Sequence, residues 1–121
     1  MQSDEQGVRA ALEHYLRGHA TGDPAHMRQA FLPTAHIEGI REGRFTSWEL
    51  DEYCGLFSGE PAEDEASRRR SIDHIEVTGT AAYAKATLEH GAATFSDYFV
   101  LLKVEGEWKI ANKVYSAQSS A

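Results

Sequence analysis

Two polar residues stand on an otherwise apolar face of a predicted hairpin near the end of the chain. Strand-like runs flank Glu105-Gly106, a pair suited to a tight turn because glycine readily takes a positive φ. We pair Val104 with Glu107 across this turn. In a regular ladder this register places Asp97 and Asn112 on one face. The other residues of that face are Phe95, Phe99, Leu101, Ile110 and Val114. Since a buried polar group is costly without a partner, the pattern predicts a hydrogen-bond network or a ligand pocket.

Asp97 and Tyr15 are the candidates for acid–base chemistry. Tyr15 lies on the predicted buried stripe of the first helix, where its hydroxyl can donate to a ligand or to Asp97. A desolvated Asp97 could act as a pocket carboxylic acid, or it could be a structural carboxylate. The sequence leaves both roles open for each residue.

A wider set of residues is expected to contact a ligand. His36 neighbours the apolar Ile37, so it faces inward only if the strand is irregular there. Trp48, Tyr53 and Phe57 recur at helical spacing and could line a pocket mouth or belong to the core. The full ligand-binding set is Tyr15, His36, Trp48, Tyr53, Phe57, Asp97, Phe99 and Asn112.

Metal and thiol chemistry are not indicated, and we expect no cofactor. The six histidines are scattered, with no pair at i, i+4 on one helix face. The single cysteine, Cys54, lacks an obvious activating partner and cannot form an internal disulfide, which favours a reducing compartment.

Composition indicates one domain over residues 1–121. The net charge is −7, and the only basic run, Arg68-Arg69-Arg70, follows several acidic residues, so nucleic acid is not an expected partner. No apolar run reaches the length of a membrane span, and the acidic N-terminus is unlike a signal peptide. We therefore expect a cytoplasmic protein without membrane contact.

Three helices are expected before a series of strands. The first spans residues 3–21, with Ser3 and Gln6 as a capping box, and a short second helix starts at Asp23-Pro24. A brief strand over residues 35–38 precedes a third helix between Thr46 and Gly59. Residues 59–70 form a loop, and strands over residues 71–77 and 80–89 lead into the hairpin.

Two further two-residue turns, at Thr78-Gly79 and His90-Gly91, would complete a four-stranded meander. This register places Ile75 opposite Ala82, and Ala84 opposite Asp97. The small alanines on that face leave room for helices or for a cavity. The outer face carries Tyr83, Tyr98, Val100 and Leu102. Because such an apolar patch rarely stays in water, the sequence predicts a homodimer through this face.

The order of these elements resembles the nuclear transport factor 2-like superfamily. That resemblance implies a cone-shaped α+β fold, with three helices packed on a curved antiparallel sheet. The chain is most similar to the superfamily's putative lumazine-binding family in three stretches: Tyr15…Gly22-Asp23, Phe31-Leu32-Pro33-Thr34-Ala35, and Asp97…Gly106-Glu107-Trp108-Lys109-Ile110…Lys113.

The chain also resembles ketosteroid isomerase, in which a tyrosine and a protonated aspartate hold an oxyanion. Tyr15 stands eight residues before Asp23, as in that family, and Asp97 lies near the position of the oxyanion aspartate. The position of the general base is Gly39. Three hypotheses remain: a domain binding a flat, partly apolar small molecule; a lyase, isomerase or cyclase using Tyr15 and Asp97; or an interaction module with a filled cavity.

Overall fold

The computed structural model describes residues 2–119, which form three α-helices, one 3₁₀ turn and six β-strands. Residues 1, 120 and 121, which the predicted domain included, lie outside this range. The helices are α1 (Asp4–Thr21), α2 (Pro24–Ala30) and α3 (Leu50–Cys54), and the 3₁₀ turn is Glu65–Ser67. The strands are β1 (Phe31–Arg41), β2 (Arg44–Glu49), β3 (Arg69–Thr78), β4 (Ala81–His90), β5 (Ala93–Val104) and β6 (Glu107–Ser119).

The first two helices have the predicted caps. Ser3 and Gln6 form a reciprocal capping box at the start of α1, and Gly22 ends the helix with φ 72°. The Asp23 side chain accepts a hydrogen bond from the backbone N–H of Ala25, and Pro24 is the first residue of α2. The short link orients α2 beside α1.

Within residues 2–119 the strands form one curved, open sheet in the order β2-β1-β6-β5-β4-β3. The meander expected over the last four strands is confirmed. Strands β1 and β2 extend it beyond β6, and β1 runs parallel to β6 while the other neighbours are antiparallel. The sheet is therefore mixed. The strand expected over residues 35–38 is longer, at 11 residues.

Two of the predicted turns are wrong by one residue. The turn residues are Gly79-Thr80 and Gly91-Ala92, so that Thr78 pairs with Ala81 and His90 with Ala93. Each glycine takes the first central position, where φ is positive, rather than the second. Because the pairing moves by two residues, the inner face is unchanged, but Asp97 lies opposite Ala86 instead of Ala84.

The third helix begins later than predicted. Thr46 and Trp48 lie in β2, which pairs with β1 through a turn at Glu42-Gly43, where both residues have positive φ. Glu49, not Thr46, is the N-cap residue of α3, and its backbone N–H donates to Glu52 Oε1 at 2.9 Å. The spacing of Trp48, Tyr53 and Phe57 predicted a longer helix. In the structure Trp48 contacts the core from β2 and Tyr53 from α3, so the aromatic face continues across two elements.

A β-bulge in β6 exchanges the two faces of the last strand. Leu101 pairs with Ile110 as expected, but Val100 pairs with Asn112, which leaves Ala111 as the extra residue. Beyond the bulge, Lys113 is buried and Asn112 is exposed. The prediction that Asn112 and Val114 share a face with Asp97 is therefore wrong, because it assumed a regular ladder.

The core lies between the helices and the concave face of the sheet. Helix α1 contributes Val8, Leu12 and Tyr15, each at most 1% exposed, and packs against β3 and β6. None of the helices in residues 2–119 is both long enough and apolar enough to cross a membrane.

Candidate functional site

Helices α1 and α3 and the inner face of β4–β6 border a cavity of about 320 Å³. Its aromatic lining residues are Trp48, Tyr53, Phe57, Phe95 and Tyr115. Its polar lining residues are Tyr15, His19, Arg41, Arg68, His90, Asp97 and Lys113. The exposed Arg41 and Leu56 mark the mouth, and the most deeply buried polar groups mark the opposite end.

Tyr15, Asp97 and Lys113 form a hydrogen-bonded cluster at the deep end. The Tyr15 hydroxyl donates to Asp97 Oδ2. Lys113 Nζ donates to the same hydroxyl at 2.7 Å and lies 3.7 Å from Asp97 Oδ2. Buried charges need partners, and here the tyrosine bridges the carboxylate and the amine.

Burial shifts two pKa values in this cluster. Burial, followed by the Asp97 charge, raises the pKa of Tyr15 well above its ordinary value, so the phenol keeps its proton at neutral pH. Burial lowers the pKa of Lys113, and Asp97 only partly opposes this shift. The Lys113 amine therefore loses its proton more readily than an ordinary surface lysine.

Three tyrosine rings surround the amine. Lys113 Nζ lies 4.8 Å from the ring centre of Tyr15, and 5.2 Å from those of Tyr53 and Tyr115. We call these three rings the tyrosine cage. Aromatic faces attract a cation, and their bulk restricts the water that reaches it.

The hydrogen-bonded chain continues from Lys113 to His19. Lys113 Nζ donates to the Tyr53 hydroxyl at 3.5 Å, and that hydroxyl lies 3.1 Å from His19 Nε2. Burial, and then the Lys113 charge, lowers the pKa of His19 well below its ordinary value. The imidazole is therefore neutral at pH 7, and Nε2 can accept the hydrogen of Tyr53.

Basic side chains cluster near the mouth. Arg70 donates from Nε to His90 Nε2 at 3.0 Å, and Arg68 Nη1 lies 3.2 Å from His90 Nδ1. Burial, then Arg70 and Arg68, lowers the pKa of His90 to about 4. Glu65 pairs with Arg70 through both of its oxygens, at 2.6 and 2.7 Å, and so neutralises part of this cluster.

A model of the family described as putative lumazine-binding matches residues 3–116. The chain belongs to this family. No curated protein matches it.

Solved structures support the nuclear transport factor 2-like fold. A protein of unknown function with this fold from Shewanella baltica OS155 is 27% identical, with a TM-score of 0.85 over 97% of this chain and 95% of that one. Another, from Methylobacillus flagellatus KT, is 28% identical, with a TM-score of 0.83 over 98% and 96%. A ketosteroid isomerase-like protein from Erwinia carotovora atroseptica SCRI1043 is 17% identical, with a TM-score of 0.72 over 99% and 100%, and shares the fold alone.

In this member of the putative lumazine-binding family, five of the predicted site residues line one cavity: Tyr15, Trp48, Tyr53, Phe57 and Asp97. Phe99 lies behind them, 1% exposed, with its ring centre 5.0 Å from that of Tyr15.

His36 and Asn112 lie on the outer face of the sheet instead. The Asn112 side chain accepts a hydrogen bond from the backbone N–H of His36 at 3.0 Å. Neither residue reaches the cavity, because β1 keeps Ile37 inward and the bulge turns Asn112 outward.

Sequence reasoning did not identify Lys113, His19, His90 and Tyr115 as site residues. Alternation from Ile110 pointed to Asn112 as the inward residue, and a lysine within a strand normally indicates the solvated side. The available signal was Asp97, since a buried carboxylate calls for a cationic partner from a neighbouring strand.

The glycine at the position of the isomerase's base has a packing reason. Gly39 pairs with Tyr115 across the parallel β1–β6 ladder. A Cβ atom at residue 39 would lie 2.5 Å from a carbon of the Tyr115 ring. A carboxylate side chain at this position is therefore incompatible with the ring that completes the tyrosine cage.

Proposed function

We propose that the protein binds a flat, partly apolar small molecule in the cavity between the helices and the sheet. The observation that carries this proposal is the combination of aromatic walls with the buried Tyr15–Asp97–Lys113 cluster at the deep end. Ligand pockets are mostly apolar with a few convergent polar groups. The cavity volume, about 320 Å³, lies at the lower end of the usual range of roughly 300–1,000 Å³.

The cavity walls favour a ring system. Trp48 and Tyr53 have ring centres 6.3 Å apart, and Phe57 lies 5.3 Å from Tyr53. Aromatic side chains stack on flat ligands with offset or edge-on geometry. The amine and the phenols at the deep end can hydrogen-bond to a carbonyl or ring nitrogen of such a ligand, which gives its orientation.

Two observations weigh against the isomerase, lyase or cyclase alternative. Gly39 supplies no base, and the Asp97 carboxyl already accepts a hydrogen bond from the Tyr15 hydroxyl and lies 3.7 Å from Lys113 Nζ. In the isomerases the tyrosine and the aspartate both point at the oxyanion, whereas here the Tyr15 hydroxyl donates to Asp97 itself. The open cavity likewise weighs against an interaction module whose cavity is filled with side chains.

Tryptophan emission tests the proposal, because Trp48 lines the cavity and Trp108 lies outside it. Lumazine and a panel of related flat bicyclic heterocycles would be titrated into the protein. We expect at least one to quench the emission in the parent and in Trp108→Phe, but not in Trp48→Phe.

Matched variants separate cavity binding from surface binding. Phe57→Ala removes one wall and should weaken binding by about two- to tenfold, since one aromatic contact contributes roughly 0.5–1.5 kcal/mol. Tyr98→Ala, on the outer face, should leave the affinity unchanged. The proposal would be contradicted if none of the compounds quenched the emission, or if Phe57→Ala and Tyr98→Ala lost affinity equally.

A further inference from the structure

Lys113 differs from the other three lysines of the chain in its surroundings. Lys103 pairs with Asp4 at 2.8 Å on the surface, and Lys109 donates to the Gln29 carbonyl at 2.6 Å. Lys85 lies over the exposed ring of Tyr98. The Lys113 side chain is 5% exposed, and it borders the cavity. It is therefore the lysine that an enclosed ligand would meet.

The contacts of Lys113 are looser than those of a tight structural ion pair. Its amine lies 3.7 Å from Asp97 Oδ2, beyond direct hydrogen-bond distance, and Tyr15 mediates the contact. Asp97 Oδ1 is buried and accepts no hydrogen bond from residues 2–119. A carboxylate oxygen without a donor is costly in a protein interior, and it is available to accept a hydrogen bond from a ligand.

We propose that Lys113 is a covalent capture site for small aldehydes and ketones, which it binds as a Schiff base inside the cavity. The geometry carries this inference: a buried primary amine, two phenol hydroxyls and a partly unpartnered carboxylate meet at the closed end of an aromatic cavity. The inference rests on the proposed function in one respect, namely that small molecules enter this cavity.

The reaction balances with the groups present. The lone pair of the neutral Lys113 nitrogen attacks the carbonyl carbon, a C–N bond forms, and the C=O π electrons move to oxygen. That oxygen takes the proton of the Tyr15 hydroxyl, while the nitrogen passes one of its own protons to the Tyr15 oxygen, its hydrogen-bond partner, which gives a neutral carbinolamine and leaves Tyr15 as a phenol. The carbinolamine hydroxyl takes a proton that enters from solvent through the cavity mouth, and the C–O bond breaks to release water. The nitrogen lone pair forms the C=N bond, whose positive charge lies beside the Asp97 carboxyl.

The enclosed site favours the attacking form of the amine. Burial lowers the pKa of Lys113, and each unit of such lowering multiplies the neutral fraction of an amine about tenfold near neutral pH. Surface lysines remain almost fully protonated under the same conditions. The aromatic walls would also hold a flat carbonyl compound next to the amine, which raises its effective concentration.

Reductive trapping tests the proposal. The folded protein would be incubated near neutral pH with benzaldehyde and sodium cyanoborohydride, which reduces the protonated C=N bond to a stable benzylamine. Peptide mass mapping then measures the labelled fraction at each lysine. We expect Lys113 to be labelled about tenfold faster than Lys85, Lys103 or Lys109, and the label at this position to vanish in Lys113→Arg.

The three surface lysines are internal controls in the same sample, so the test does not depend on how well a variant folds. Lys103→Arg should leave labelling of Lys113 unchanged. Equal labelling at all four lysines, or labelling confined to the surface ones, would overturn the inference.

Emission of Trp48, titrated with benzaldehyde without reductant, distinguishes the two proposals. If benzaldehyde binds but Lys113 is not trapped selectively, the Schiff base proposal is wrong and the proposed ligand binding stands. If neither benzaldehyde nor any heterocycle binds, the proposed function is wrong as well.

Discussion

At the residue scale, three histidines owe their low pKa values mainly to burial. His14 lies on α1 and stacks on His26 of α2, while His19 and His90 border the cavity, and desolvation is the largest cause in each case. Neighbouring cations add to it. All three are therefore neutral in the folded protein at pH 7, and protonating them costs folding free energy.

The pH dependence of stability should include a contribution from His90. Its folded pKa is about 4, against 6.5 for an ordinary histidine. Between these values the unfolded chain binds a proton that the folded chain does not, so stability is lost as pH falls through this window. The loss is at most about 1.4 kcal/mol per pH unit, and less because His90 is partly exposed. Urea unfolding at several pH values measures it.

His90→Asn should flatten this part of the profile relative to the parent. His36→Asn is the matched control, because His36 lies exposed on the outer face. Carboxylates that titrate in the same range affect parent and variants alike. A parallel loss in parent and His90→Asn would contradict the low pKa of His90 that burial, Arg70 and Arg68 are expected to produce.

The sequence predicted two of the three residues of the deep cluster, and there is a physical reason why it missed the third. Tyr15 and Asp97 were recognisable because each is polar on a surface that must be buried. Lys113 was not, because its direction depends on the extra residue Ala111, and no local pattern distinguishes a bulged from a regular strand there. The demand of the buried Asp97 for a cationic partner is a signal that favours the bulged register.

At the element scale, the junction between α1 and α2 connects the helices to the loop that leads to the cavity mouth. The Gly22 carbonyl accepts a hydrogen bond from the Gly59 N–H at 2.9 Å. A Cβ atom at Gly22 would lie 2.0 Å from the Glu60 carbonyl oxygen. The helix end and the loop backbone are therefore in direct contact, which only glycine allows.

Gly22→Ala should destabilise the protein much more than Gly43→Ala. Both glycines have positive φ, 72° and 77°, so both substitutions bear the left-handed strain of roughly 1–2 kcal/mol. Among residues 2–119, and apart from its two chain neighbours, no residue has a heavy atom within 4 Å of the Cβ position of Gly43, whereas a Cβ atom at Gly22 would collide with the Glu60 backbone. We expect a total loss above about 3 kcal/mol for Gly22→Ala, measured by urea unfolding. Equal losses of unfolding free energy in the two variants would mean that the loop at Glu60 moves away from residue 22 without cost.

Element types were more predictable than their boundaries. The capping residues Ser3 and Asp23 and the Glu105-Gly106 turn are local signals, and all three are confirmed. The start of α3 and the two other turns depend on which of two neighbouring residues pairs with a partner strand. That choice is made by tertiary contacts, so local sequence could not decide it.

At the scale of the whole molecule, the outer face of the sheet carries an apolar patch. Its members are Tyr83, Tyr98, Val100, Leu102 and Val114, each between 41% and 51% exposed. The bulge adds Val114 to the four residues predicted from sequence. We keep the proposal that two copies of the chain associate through this patch, since large apolar patches on single proteins usually mark an interface.

Val100→Asp should convert a dimer to a monomer, because a buried unpaired carboxylate would lie at the centre of the interface. Sedimentation equilibrium measures the mass, with the parent expected at twice the chain mass. Phe45→Asp is the matched control, since Phe45 is 69% exposed but lies on the edge strand β2, away from the patch. A monomeric parent would refute the proposal.

The bulge at Ala111 also affects how such proteins can diverge. Successive residues of a strand point to opposite faces of the sheet. One inserted or deleted residue in β6 therefore moves every side chain beyond it to the other face. In this chain Lys113 and Tyr115 face the cavity, and Asn112 and Val114 lie on the outer face. Relatives that share the fold at 17–28% identity could thus acquire a neutral or a cationic binding site by a change in length rather than by substitution. Ancestral lineages would then be better compared by strand register than by aligned residue identity.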